Sequence, residues 1–228
     1  MKIWLRMLTA VILGAAGILT LMSHDAAVVA TRPESPLIPT DETTPETIAL
    51  RGCIEGIDPL SGNDLSTLKQ IAACDTYVLV AEDKINATYS RALYLFHQGI
   101  TDAHRDQAYR DFTYVIDAKE DAAPAYANRA LLNLRQRNAP FEALADISAA
   151  IELRNETPRA NYYERRAAIF LILAWQTKDE AQVYQALEDI ETVRTLDPGS
   201  HAIKQLETTA SDVLRQLHLD AGQDIQEG

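Results

Sequence analysis

Apolar residues recur every three or four positions along most of this chain, which is the spacing of one face of an α-helix. No stretch alternates apolar and polar residues for long enough to predict a β-strand. A single helix is predicted from about residue 64 to residue 80, and another over residues 203–217. Between them the pattern predicts three helix pairs, over 85–97 and 102–119, 125–137 and 140–153, and 160–175 and 179–195. The sequence therefore predicts an all-α fold.

Residues that favour helix ends support these boundaries. Thr101 or Asp102 can cap the helix that follows it, because a short polar side chain accepts a hydrogen bond from the first turn. Pro140 suits a first helical turn, where no backbone donor is needed. Residues 177–180 have the spacing of a capping box, which predicts the start of the last paired helix.

The three helix pairs share one phrase, an alanine followed four positions later by Phe or Ile. The copies lie at residues 108–112, 143–147 and 186–190, and each follows an Arg-Ala pair. Positions four apart lie on the same helical face, so the small alanine allows close approach and the larger residue fills the adjacent groove. The phrase is a packing pattern, and its repetition indicates stacked units.

This pattern resembles the tetratricopeptide repeat, a helix–turn–helix unit of about 34 residues. The resemblance covers about residues 85–198 and is best over 126–130, 143–153 and 196–198. It implies an all-α helix–turn–helix solenoid with flanking capping helices. The implied segments are a capping region at 48–84, three units at 85–120, 124–155 and 159–198, a capping helix at 199–218 and a disordered tail at 219–228.

In the resembling units an arginine of the first helix faces an aspartate of the second. The resemblance thus implies the salt bridges Arg91–Asp111, Arg129–Asp146 and Arg166–Asp189. They are interpreted either as pairs that fix helix register or as a polar ladder that contacts a ligand.

The first helices of such units line a concave groove, which gives a candidate partner site. Its predicted lining is Tyr89, Leu93, Phe96, Asn128, Leu131, Leu134, Arg165 and Leu171. An apolar groove with an acidic rim suits an amphipathic helix or an extended apolar segment. The alternative is that the leucines are buried by neighbouring helices.

The first 30 residues are interpreted as an export signal, with Lys2 and Arg6 before an apolar run at residues 7–22. That run has 16 residues, fewer than the roughly 20 of a membrane-spanning helix, yet a retained inner-membrane anchor stays open as the alternative. Residues 31–47 contain four prolines and predict a disordered linker. With the cysteines described next, the chain resembles exported tetratricopeptide proteins of bacterial envelopes, and a periplasmic location is expected.

The chain has two cysteines, Cys53 and Cys74. An even number of cysteines in an exported chain favours a disulfide, and their separation is too wide for a redox or zinc C-x-x-C motif.

The net charge of −12 argues against binding to nucleic acid or to anionic membrane surfaces. The sequence has no P-loop, no dinucleotide fingerprint and no zinc-protease motif, so no cofactor is expected. The expected function is a non-catalytic protein-interaction module, a scaffold or assembly factor with an unidentified protein partner. An accessory hydrolytic enzyme is the alternative of another class, and it would need a site around His97 and His104.

We expect the mature protein to begin at Thr31, because small residues at 28–30 form a cleavage pattern. N-terminal sequencing of the protein from the envelope fraction measures this. An intact Met1 would instead identify the anchored form.

Overall fold

The computed structural model describes residues 44–56, 64–98 and 101–224, with side chains as far as residue 219. These residues form nine α-helices and no β-strand, so the predicted all-α class is confirmed. The helices are α1 Pro45–Ile54, α2 Thr67–Val80, α3 Lys84–Gln98, α4 Asp102–Ala118, α5 Ala123–Gln136, α6 Pro140–Glu152, α7 Ala160–Thr177, α8 Glu180–Leu196 and α9 Ala202–Asp224. The predicted signal at 1–30 and most of the predicted linker lie outside the described residues.

The described chain divides into two compact units, residues 44–132 and residues 133–224. We call them the N-terminal unit and the C-terminal unit. The division falls within α5.

The N-terminal unit begins with α1 and α2, which pack against each other and are joined by the Cys53–Cys74 disulfide. The Sγ–Sγ distance is 2.09 Å, and both cysteines are buried. Helix α1 ends at a left-handed Gly56, a conformation that glycine adopts without steric penalty. Gln70 Nε2 of α2 donates a hydrogen bond of 2.9 Å to the Cys53 carbonyl near this end.

Helix α1 corrects the predicted linker, which included residues 45–47. Thr44 Oγ1 accepts a hydrogen bond of 3.1 Å from the Thr47 amide, and Pro45 follows this cap as the first helical residue. Proline at this position removes no helical hydrogen bond. Thr44 and Pro45, which contributed to the linker-like composition of residues 31–47, therefore form the start of α1.

Helices α3 and α4 pack around the first copy of the repeated phrase. Ala108 and Phe112 are fully buried and contact a cluster that includes Ala92 and Leu95 of α3. At the start of α4, Thr101 Oγ1 accepts a hydrogen bond of 3.2 Å from the His104 amide. Of the two predicted N-cap residues, Thr101 and Asp102, Thr101 is therefore the one that caps α4.

The C-terminal unit is built in the same way around the other two copies. Ala143, Ile147, Ala186 and Ile190 are all buried. Helix α7 packs against α6, α8 and α9. Helix α9 also packs on α8, and its buried residues include Ala202, Ile203, Leu206, Ala210, Val213 and Leu217.

Two predicted helix ends in the C-terminal unit are wrong. Thr177 is the last residue of α7 and not a cap, because the left-handed Lys178 ends the helix and leaves Asp179 extended. Asp179 Oδ1 then caps α8, accepting a hydrogen bond of 2.9 Å from the Ala181 amide. Helix α9 continues to Asp224, beyond the predicted end of the capping helix, since residues 219–224 contain no proline to stop it.

None of the helices within the described ranges is both long enough and apolar enough to span a bilayer.

Gly52 is required where α1 approaches α2, because a Cβ placed there would lie 2.9 Å from Ala73 Cβ. We expect Gly52→Val to lower the free energy of unfolding by about 2 kcal/mol through overpacking. Chemical denaturation measures the change. Gly199→Val is the matched control, because the nearest atom to its added Cβ is 3.6 Å away. Equal losses in the two variants would contradict this account of the α1–α2 contact.

Candidate partner-binding site

Three predicted groove residues, Tyr89, Leu93 and Phe96, lie on one face of α3, because they are spaced four and three residues apart. All three are half-buried. The Tyr89 and Phe96 rings lie 5.9 and 6.4 Å from the buried Phe112 ring of α4, centroid to centroid, in edge-to-face geometry. Such packing fixes both rings while part of their surface stays accessible.

Asn128 of α5 extends this surface within the N-terminal unit. Its Nδ2 donates a hydrogen bond of 3.4 Å to Tyr89 Oη, and its side chain is half-buried. We call Tyr89, Leu93, Phe96 and Asn128 the α3 face. It combines apolar and aromatic area with one amide and one phenol group.

The predicted groove does not include the leucines. Leu131, Leu134 and Leu171 are 5%, 7% and 0% exposed, so they belong to the core and cannot line an open groove. The prediction is wrong for these three residues, and burial by neighbouring side chains is the correct alternative. Helical periodicity identifies an apolar face but does not distinguish a face that other parts of the protein cover.

Arg165 lies on α7 of the C-terminal unit and is half-buried. Burial raises the pKa of the Tyr162 hydroxyl on the same helix, and the positive charge of Arg165 opposes this effect in part.

The structure places two of the three predicted Arg–Asp pairs in direct contact. Arg91 bonds Asp111 through Nε and Nη2, both at 2.8 Å, and its Nη1 donates to Asp75 at 3.1 Å. Arg166 bonds Asp189 through Nε and Nη2 at 2.8 and 2.7 Å. Asp111 and Asp189 are each 3% exposed. Bidentate pairs on buried carboxylates favour the register interpretation over a ligand-contacting ladder.

The third predicted pair, Arg129–Asp146, stays a prediction. Arg129 Nη1 donates to Thr113 Oγ1 at 3.2 Å, and its guanidinium lies 5.9 and 5.7 Å from the ring centroids of Tyr109 and Tyr126. Asp146 is buried and accepts a hydrogen bond of 3.0 Å from Asn133 Nδ2.

Arginine–aromatic stacking is a feature that the sequence analysis missed. Arg166 lies 5.5 Å from the Tyr163 ring centroid and 5.8 Å from that of Phe170, much as Arg129 lies over Tyr126. The signal was a tyrosine three residues before the arginine in both helices, a spacing that brings side chains together.

The histidines of the hydrolytic alternative lie on consecutive helices. His97 is exposed near the end of α3, and its ring lies 4.9 Å from the Phe96 ring. His104 is in the first turn of α4, and its buried Nδ1 has no hydrogen-bond partner in the part of the chain that the structure describes. No three His, Cys, Asp or Glu residues in that part are placed to hold a metal ion.

Burial and hydrogen bonding have opposite effects on the pKa values of Arg166 and Asp189. Burial raises the pKa of Asp189 more than the bonds from Arg166 lower it, whereas those bonds are the main reason that the pKa of Arg166 is raised. The difference follows from depth, because the side chain of Asp189 is 4% exposed and that of Arg166 is 24% exposed. We describe the pair as ionised, because both carboxylate oxygens accept short guanidinium bonds.

Asp189→Ala should therefore leave a partly buried arginine unpaired and lower the free energy of unfolding by about 3 kcal/mol. Urea unfolding is the measurement. Asp212→Ala, which removes the acidic partner of the exposed Arg215, should change it by only about 0–1 kcal/mol. A neutral Asp189→Ala would contradict the structural role of the pair.

Comparison with known proteins adds one structural likeness. No protein-family model matches this sequence, and no curated protein matches it. Among solved structures, the chain is similar to the second tetratricopeptide domain of human RPAP3, determined by NMR in complex with the HSP70 peptide SGPTIEEVD. The sequence identity is 23% and the TM-score is 0.44, and the match covers 57% of this chain and 97% of that one. A likeness at this level does not assign the chain to a family.

Proposed function

We propose that this protein is a non-catalytic protein-interaction module that acts as an exported scaffold or assembly factor in the bacterial periplasm. The observation that carries the proposal is the α3 face. Its two rings are held by Phe112 and stay partly accessible, and its amide and phenol groups lie side by side. On this proposal, the α3 face binds a segment of a protein partner.

The composition of the α3 face suits an apolar peptide segment. Leu93 and Phe96 supply apolar surface, while the Tyr89 hydroxyl and the Asn128 amide can bond a peptide backbone. Tyrosine is enriched among the residues that dominate protein–protein binding energy. Because the rings are already fixed, binding would require little further ordering of side chains.

The acidic net charge favours a protein partner over a nucleic acid. A charge of −12 repels a polyanion, whereas an uncharged or basic peptide segment meets no such barrier. The proposed function requires no cofactor.

Two observations support the exported location. The Cys53–Cys74 disulfide fits an oxidising compartment, and residues 1–30 have the pattern of an export signal. An inner-membrane scaffold that retains residues 7–22 as its anchor is the alternative, supported by the apolar character of that run. In either form the described residues would lie in the periplasm.

Photo-crosslinking tests the α3 face. We expect benzoylphenylalanine at Leu93 to form discrete adducts with a protein in the envelope fraction, because this position lies between Tyr89 and Phe96. The control is the same group at Tyr114, which is 48% exposed on α4. An additional Phe96→Ala substitution should reduce the adduct, since truncating an aromatic anchor commonly costs 2 kcal/mol or more, to an order of magnitude about 30-fold in affinity.

Equal adducts at the two positions, or none at Leu93, would contradict binding at this face. Circular dichroism shows whether the Phe96→Ala variant is folded, which separates loss of binding from loss of structure.

A further inference from the structure

Helix α2 carries the two most exposed large apolar side chains among the described residues. Leu68 is 64% exposed and Leu79 is 77% exposed. About three helical turns separate them, so they lie on the same side of the helix. Ala72 and Thr76 lie between them on that side and are also exposed. We call Leu68, Ala72, Thr76 and Leu79 the α2 face.

The α2 face is the outer side of its helix. The opposite side carries the buried Cys74 and Tyr77, and α2 packs against α1 and α3. Next to the face, α1 and α2 enclose an open cleft of about 440 Å³, whose lining includes Ile48, Leu65 and Thr76. A continuous apolar surface on a helix that already packs on its neighbours is typical of an interaction surface.

The polar groups at the α2 face already have partners. Thr76 Oγ1 donates a hydrogen bond of 2.9 Å to the Ala72 carbonyl. Asp75, at the edge of the face, accepts a hydrogen bond of 3.1 Å from Arg91 Nη1 of α3. Covering the face would therefore leave neither the threonine hydroxyl nor the aspartate charge unpaired, which removes a large cost of burial.

The two ends of α2 carry opposite charges that have no partner in the same unit. Lys69 lies in the first turn, and Glu82 lies just beyond the last. Both residues are exposed, and neither side chain forms an ion pair or hydrogen bond with another described residue. A helix with this arrangement is complementary to an antiparallel copy of itself, and antiparallel packing also places opposite ends of the two helix dipoles side by side.

We propose that the α2 face binds a second copy of this chain through an antiparallel contact between the two α2 helices. A two-fold axis at the centre of the face would pack Leu68 of each copy against Leu79 of the other. The same axis would place Lys69 of each copy near Glu82 of the other. The small alanine at the centre allows the two helices to approach closely.

The expected dimer is a weak one. One helix from each copy contributes less than the roughly 800 Å² per partner of a standard interface, so the dimer should dissociate on dilution. The α2 face is separate from the α3 face. Failure of the dimer would therefore leave the proposed function of the α3 face untouched.

Sedimentation velocity of the whole protein, with its disulfide formed, should show a monomer–dimer equilibrium that depends on concentration. Leu79→Glu should weaken the dimer by about 100-fold, because each dimer loses two apolar contacts. Phe141→Glu is the matched control, since it makes the same kind of change at a side chain of α6 that is 62% exposed. Because both positions are exposed, both variants should keep the wild-type circular dichroism spectrum.

A charge exchange tests the antiparallel arrangement. Lys69→Glu should weaken the dimer by about fivefold, because each dimer loses two exposed ion pairs. Adding Glu82→Lys to that variant should restore the wild-type equilibrium. Benzoylphenylalanine at Leu68 should form adducts with the end of α2 in the other copy, which mass spectrometry of the crosslinked peptides identifies.

A monomer at every concentration would overturn the proposal, as would equal effects of Leu79→Glu and Phe141→Glu. Failure of the double variant to restore the dimer, or adducts with the start of α2 instead of its end, would overturn the antiparallel contact. Flotation with lipid vesicles and crosslinking in the envelope fraction cover the other occupants. Vesicle binding that Leu79→Glu abolishes, or adducts at Leu68 with another protein alone, would assign the face to that occupant and overturn the dimer.

Discussion

Close approach of paired helices at alanine is the constraint on which the other contacts depend. Ala108, Ala143 and Ala186 are each 0% exposed, so a larger side chain at any of them would have to displace a neighbouring helix. Phe112, Ile147 and Ile190 fill the space one turn further along. The aspartate between the two apolar residues of each copy is also buried: Asp111, Asp146 and Asp189.

The buried aspartates determine how the paired helices can be aligned. A buried carboxylate is costly unless it is paired and hydrogen-bonded. Arg91 bonds both oxygens of Asp111, and Arg166 bonds both oxygens of Asp189, each from one position of the partner helix. A shift of either helix by one residue would leave the charge unpaired. Apolar packing is less selective, because hydrophobic contacts have no preferred direction. The ion pairs therefore contribute alignment more than stability.

The helix pairs could be predicted from sequence because their apolar periodicity extends over three or more turns. Helix α1 could not, since it has only ten residues and begins at a proline that is equally common in linkers. The end of α7 depends on the left-handed backbone of Lys178, a conformation with no clear signature in a lysine. Local pattern also failed for Leu131 and Leu171, because periodicity along one helix does not show which of its apolar positions are covered in the folded protein.

The same limit applied to the candidate sites. The α3 face was predictable because spacing along one helix places Tyr89, Leu93 and Phe96 together. Arginine–tyrosine stacking corresponds to a recognisable sequence spacing, a tyrosine three residues before an arginine. This spacing indicates contact between the two side chains only where the segment is known to be helical.

The buried disulfide links the completion of folding to chemistry outside the polypeptide. Cys53 and Cys74 lie in the interface between α1 and α2, where reduced thiols would leave the two helices held without a covalent link, by packing and by the hydrogen bond from Gln70 to the Cys53 carbonyl. On the proposed export route, the chain would meet an oxidant only after crossing the inner membrane. Helices α1 and α2 would then lack their covalent link during synthesis, when a chain must stay unfolded enough to pass through a translocation channel. The disulfide would form after translocation. Oxidation would thus set the time at which the protein becomes rigid.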